Sequence, residues 1–215
     1  MNVLIIVPHP DDEILGFGGA IQWHVSRGDK VFVEFVTDNI EEELTRKQYA
    51  QFPEVGKKIG YTGNLYAAPF DDKNVRDTTK HLESRINLIK PEVLYSVFGE
   101  DNHQDHRYIF DLIRVASRTW AKHHIKNIYL GEILSSTDQS PKLPQCAFIP
   151  TYYIPLTKEE VKNKVDALLM YDDEIQKWPH PRSEKGIWNL AEKRGSECHN
   201  EYAESFVTLR HIESR

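Results

Sequence analysis

The sequence predicts an α/β protein, a Rossmann-like three-layer sandwich built on a mostly parallel sheet of strand order 3-2-1-4-5. Three observations lead there. Apolar runs of four to eight residues, rich in β-branched and aromatic types, alternate with longer amphipathic segments, the pattern of βαβ units. The length of 215 residues suits one α/β domain with one substantial core. With 40% hydrophobic and 28% charged residues and no repeat or low-complexity tract, disordered and solenoid architectures drop away. A single domain over residues 1–215 is therefore expected, with residues 134–215 as a C-terminal extension completing the site.

The elements follow in order. Asn2 to Val7 is apolar almost throughout and reads as strand one; a helix runs from about Asp12 to Arg27, ended by Gly28; KVFVEFV, Lys30 to Val36, is strand two. A helix from about Glu41 to Ile59 is stopped by Gly60, and NLYAAPF, Asn64 to Phe70, is strand three. Helix three spans about Asn74 to Lys90, and Pro91 introduces strand four, EVLYSVF, Glu92 to Phe98. The polar cluster GEDNHQDH then leads into a helix from about His103 to Ala121 and a strand NIYLGEI, Asn127 to Ile133. Beyond the Ser/Pro-rich SSTDQSPKLP, AFIPTYYIPL reads as a late strand. Residues 158–175 read as an amphipathic helix with Val161, Val165, Leu168 and Leu169 on one side. WPHPRSEKG, Trp178 to Gly186, reads as a surface loop, and a last helix and the tail YAESFVTLR close the chain.

Charge and composition narrow the partners. A formal net charge of −6 with no long basic run argues against a dedicated nucleic-acid or anionic-membrane binder. The N-terminal apolar run is too short for a secretory segment, and no stretch approaches a membrane span. Cys146 and Cys198 have no CxxC partner, which fits two free thiols in a cytoplasmic protein. The expected partner is a small molecule; a homo-oligomer is compatible with the sequence.

Two charged clusters carry the chemistry. VPHPDDEILGFGG, residues 7–19, puts His9, Asp11, Asp12 and Glu13 directly after strand one, while His103 to His106 follow strand four. In the 3-2-1-4-5 order strands one and four are neighbours, so both clusters face the crevice at the topological switch point. Residues before proline avoid the helical region, which makes Val7 and His9 extended. Pro10 suits the first turn of the helix, and Asp11, Asp12 and Glu13 then lie near the positive end of its dipole, where they are expected to stay ionised. His103 and His106, three apart at a helix start, share a face. Imidazoles and carboxylates converging in this way suggest a divalent metal with nitrogen and oxygen ligands, most naturally zinc. His9, one carboxylate of the Asp pair and one histidine of HQDH would form the ligand set, leaving a second carboxylate as general base and a histidine for the oxyanion or the leaving group.

HPDDE at 9–13 followed by NHQDH at 102–106 resembles the PIG-L or LmbE-like N-acetylglucosaminyl deacetylase family. Leu15 to Gly19, the segment Thr45 to Tyr61 and RGSECHNEYAESF, Arg194 to Phe206, extend the resemblance over most of the chain. It implies that His9, Asp12 and His106 ligate the metal, that Asp11 is general base and acid, that His103 polarises the amide carbonyl or stabilises its oxyanion, and that Asp105 orients an imidazole. Arg46, in the matching segment, is a candidate for substrate binding. His199 stands where the family often has small residues and is a candidate to reach the site. The implied reaction is hydrolysis of the N-acetyl amide of an N-acetylglucosamine-type sugar to free amine and acetate, with Zn2+ as cofactor or another divalent ion such as Fe2+ in its place. A related metallohydrolase cleaving another amide or an ester is the alternative. The aglycone would be chosen by the loops after strands two and three and by residues 134–145 and 176–186.

Overall fold

Val3 to Val7 are each at most 1% exposed, so β1 (Asn2–Val7) has both faces covered and sits in the middle of the sheet. The computed structural model describes residues 1–37, 43–172 and 174–213. Among them the strand order is β3-β2-β1-β4-β5-β7-β6. β2 (Lys30–Thr37), β3 (Tyr61–Ala67), β4 (Val93–Val97) and β5 (Asn127–Gly131) run parallel with β1, which reproduces the expected 3-2-1-4-5 core. β6 (Tyr152–Leu156) and β7 (Tyr202–His211) extend the sheet antiparallel beyond β5.

Helices cover both faces. α3 (Val75–Ile89) and α4 (Gln104–Ala116) pack together on one side, while α1 (Asp12–Ser26), α2 (Glu43–Ile59), α5 (Lys158–Leu168) and α6 (Glu184–Glu197) form the other layer. α1 lies close to its neighbours because it carries glycines. A Cβ at Gly16 would come within 2.6 Å of Ile133 Cδ1, and one at Gly19 within 2.5 Å of Leu156 Cδ1. The GFGG run is thus a packing surface.

A buried ion pair fixes the same helix to the C-terminal strands. Glu204 accepts the backbone N–H groups of Gly19 and Ala20, both at 2.7 Å, and receives Lys164 Nζ at 2.7 Å; Lys164 also donates to Leu15 O at 2.8 Å. Both side chains are under 10% exposed, so removing one charge strands the other in the interior. Glu204→Gln is expected to destabilise the protein by about 3–5 kcal/mol, read from urea denaturation, whereas an exposed pair such as Lys162–Asp166 would cost about 0–1 kcal/mol.

Several expected boundaries move, each for a physical reason. Strand three starts at Tyr61 rather than Asn64, because Gly60 takes a positive φ of 105° and ends α2 at once; β3 then pairs in register with β2 from Val31–Tyr61 to Thr37–Ala67, short of Pro69. α4 stops at Ala116, capped by Ser117, rather than at Ala121, and α5 stops at Leu168 rather than 175. AFIPTYYIPL contributes only Tyr152–Leu156. The tail is a ten-residue strand between β5 and β6, a pairing between segments distant in sequence. The expected helix start at Glu41 lies outside the described residues.

Candidate metal centre and active site

The carboxyl ends of β1 and β4 bring the two clusters together. At the end of β1 the chain turns through Asp11, the N-cap of α1, whose φ of 121° and ψ of −38° are uncommon for a non-glycine residue. Its N–H is held by Glu13 Oε2 at 2.9 Å, and its carbonyl accepts from Ile14 and Leu15. Glu13 is itself buried beneath the hydroxyls of Tyr61 and Tyr171, at 2.9 and 2.5 Å. Asp12 is therefore the first helical residue and Pro10 lies outside the helix, a correction to its expected place in the first turn. His103 is the N-cap of α4, extended at φ −74° and ψ 127°, with His106 one turn in.

The three histidines form one group, with ring centroids 4.9 Å apart for His9–His103 and for His103–His106, and 5.9 Å for His9–His106. Asp12 lies between two of them: its Oδ2 is 3.2 Å from His9 Nδ1 and 3.3 Å from His106 Nε2. The far nitrogen of each ring is bound to another carboxylate. His9 Nε2 meets Asp105 Oδ2 at 2.9 Å and His106 Nδ1 meets Asp101 Oδ1 at 3.2 Å. Asp101 is in turn held by the Ser136 and Thr137 hydroxyls. This carboxylate–imidazole arrangement fixes which nitrogen faces inward, as at metal centres.

Burial and charge set the ionisation of these groups. Burial opposes a charge on His9, but hydrogen bonds to Asp105 and Asp12 push its pKa up to about 9; His106, likewise buried, is pushed up to about 9 by Asp12 and Asp101. Burial also works against Asp12, yet His106 and His9 hold it well below the usual carboxylate range. The expectation that all three acids stay ionised is corrected at its neighbours. Burial and the charge of Asp12 drive Asp11 well above the ordinary value, with Arg182 pulling the other way, and burial pushes Glu13 up to about 7. His103 is lowered by burial and by His9.

The donor set fits a divalent ion. His9, Asp12 and His106 each offer a ligand atom within 4.8 Å of the others, and Asp12 Oδ1 is buried with no hydrogen-bond partner among the described residues, an acceptor whose desolvation a bound cation would offset. A second group, His9, His103 and Asp105, overlaps it. It fits less well, because it is more exposed, His103 Nδ1 already accepts the Asp105 N–H at 3.2 Å, and the unpartnered buried oxygen belongs to Asp12.

A cleft of about 210 Å³ opens over this cluster, lined by His9, Pro10, Asp11, Gln48, His103, Glu174 and Arg182. Arg46 is exposed on α2 and is not among these residues; Gln48, two positions on, is the α2 residue that lines the cleft. His199 is exposed in the turn between α6 and β7, at φ 60°, and does not line it either. Tyr152 stacks on Tyr129 with centroids 4.3 Å apart, which is core packing. Three participants escaped the sequence reading: Asp101, quoted in the cluster but given no role, and Glu174 and Arg182. Trp178 to Gly186 is exposed only in part, since Arg182 turns inward and places Nη1 2.6 Å from Asp11 Oδ2.

No curated protein sequence matches the chain. Among solved structures, a deacetylase of the teicoplanin biosynthesis pathway aligns at a TM-score of 0.78 with 15% identity over 100% of both chains. N,N'-diacetylchitobiose deacetylase from Pyrococcus horikoshii aligns at 0.70 with 20% identity, covering 97% of this chain and 83% of that one. GalB, the 4-carboxy-2-hydroxymuconate hydratase from Pseudomonas putida KT2440, aligns at 0.75 with 16% identity over 100% and 98%. At these identities the likeness is one of fold. The family model for PIG-L: GlcNAc-PI de-N-acetylase matches residues 4–117, more than half of the chain and the stretch that holds both polar clusters, and the chain therefore belongs to the PIG-L family of hydrolytic deacetylases.

Proposed function

We propose that the protein is a zinc-dependent N-deacetylase that hydrolyses the N-acetyl amide of an N-acetylglucosamine-type sugar or glycoside to free amine and acetate. The observation that carries this reading is the convergence of HPDDE and NHQDH on one triad, in which Asp12 Oδ2 lies between two imidazoles fixed by carboxylates and Asp12 Oδ1 is buried with no hydrogen-bond partner among the described residues. His9, Asp12 and His106 would hold the ion; ferrous iron or another divalent metal suits the same donors. When bound, the ion supplies Lewis-acid polarisation of the acetamide carbonyl and activates water near neutral pH.

The remaining residues do the proton work and the positioning. Asp11 lines the cleft beside the triad and takes the proton of the attacking water, then returns it to the departing nitrogen. His103 accepts the Asp105 N–H on Nδ1, which leaves Nε2–H as its donor; with its pKa lowered it is neutral at pH 7 and donates a hydrogen bond to the developing oxyanion. Asp105 orients His9. Residues 134–215 belong to the same working unit, since Ser136 and Thr137 support Asp101 while Glu174 and Arg182 close the cleft. Asp101→Asn is expected to weaken zinc binding by about 10- to 100-fold, measured by competition with a chelating dye, because it removes the partner that orients His106.

One observation favours a second reading. A hydratase shares this fold as closely as the deacetylases do, so the same scaffold also carries a different use of water. Free-amine release from a panel of N-acetylglucosamine derivatives by the zinc-loaded protein separates the two. Release from at least one member supports the deacetylase; release from none, with metal bound, moves the assignment to another amide, an ester or a hydration.

A further inference from the structure

We propose that Arg182 is a positioning residue for Asp11, so that the C-terminal segment 174–183 belongs to the reactive machinery as well as to the wall of the cleft. The inference rests on the deacetylase reading for what Asp11 does, but its geometry stands apart from it. Arg182 Nη1 lies 2.6 Å from Asp11 Oδ2 and 2.5 Å from Glu174 Oε2, and Nε donates to Ser135 Oγ at 2.7 Å. One guanidinium thus joins the turn after β1, the loop after β5 and the segment after α5. Glu174 is held from its other side by Gln48 of α2.

The loop is built to deliver this side chain. Gln176 to His180 are exposed, then the chain turns and Arg182 is drawn inward to 21% exposure. Its backbone is held on both sides: the carbonyl accepts from Gln176 N at 3.3 Å and the N–H donates to His180 Nδ1 at 3.1 Å. The next residue, Ser183, is the N-cap of α6, its hydroxyl accepting from Gly186 N at 3.0 Å, and Pro181 packs so closely on Gly186 that a Cβ there would sit 2.0 Å from the Pro181 carbonyl. The guanidinium is therefore anchored at a helix start, and its planar fork fixes the direction from which it meets a carboxylate.

Asp11 needs such a partner. Its backbone is in a sparsely populated region, and its carboxyl sits against that of Glu174, so the guanidinium that donates to Oδ2 and also meets Glu174 sets how the two acids are placed. A carboxylate that must meet both a water and a leaving nitrogen loses rate steeply when misplaced; about 1 Å costs roughly 100-fold.

The test uses the full chain loaded with zinc, in Arg182→Gln, Arg182→Lys and Glu174→Gln forms beside wild type and Asp11→Asn, on whichever N-acetylglucosamine derivative the wild type turns over fastest. For Arg182→Gln we expect kcat to fall about 10- to 100-fold with KM within about threefold of wild type and zinc content unchanged. Arg182→Lys should recover part of the loss, since it keeps the charge without the fork, and Glu174→Gln should lose less. Wild-type kcat in Arg182→Gln, or a rise in KM alone, overturns the inference. Should Arg182→Gln fail to fold, the Lys and Glu174→Gln variants decide it: both at wild-type kcat overturn it. An inactive wild type would refute the deacetylase reading and leave the positioning to a crystal structure of Arg182→Lys, where an Asp11 carboxylate in its present place overturns the inference and a displaced one supports it.

Discussion

Asp11→Asn is expected to lower kcat by about 10²- to 10⁴-fold while zinc stays bound, because it removes the only proposed proton acceptor and leaves the ligand triad intact. The substitution is nearly isosteric, and the amide still accepts from Arg182, so the turn through Asp11 should persist. What it removes is the ability to take a proton from water and carry it to the leaving nitrogen. Steady-state kinetics with metal analysis on the same sample checks both halves. Turnover within a few-fold of wild type would assign the base elsewhere, with Glu13 a poor substitute, since its carboxylate is fully buried and bonded by two tyrosines and the Asp11 N–H.

His106→Ala should have the larger effect on the metal. Zinc affinity is expected to fall by well over the roughly 10- to 100-fold that loss of an orienting carboxylate costs, and activity should disappear with it. His106 is 1% exposed and stands between Asp12 and Asp101, so its removal takes away a ligand and leaves two buried carboxylates without their shared partner. A fall in thermal stability should accompany the loss. Calorimetric zinc titration and a melting curve of the variant measure the two consequences; wild-type zinc affinity would place the ligand set elsewhere in the cluster, with His9, His103 and Asp105 the overlapping choice.

How much of this was legible before the structure varied with the range of the interaction. The parallel core was legible because β1, β2 and β4 are short apolar runs buried on both faces, with Gly28, Gly60 and Pro91 marking where chain segments change. Both clusters were legible because each is a local string of ionisable residues at a strand end, and the strand order alone places them side by side. The β7 pairing was not, since YAESFVTLR carries no local sign of which strand it will join. Arg182 was hidden for the same reason: its partner Asp11 is 171 residues away in sequence. A WPHPRSEKG string reads as an exposed turn until the backbone shows one side chain pointing inward. Arg46 and His199, proposed from segment resemblance, sit on exposed stretches outside the cleft lining, because similarity over a segment locates a region and leaves side-chain direction open. The raised pKa values of Asp11 and Glu13 were likewise out of reach, as they come from burial, which a helix-start position does not reveal.

The most direct test of the central claim is simultaneous measurement of acetate and free amine from an N-acetylglucosamine derivative incubated with the zinc-loaded protein and with the same protein after chelation. A zinc-dependent deacetylase gives acetate and amine in equal amounts when loaded, none after chelation, and recovers on adding zinc back. Equal release after exhaustive metal removal, or no release by protein with zinc bound, would contradict the claim.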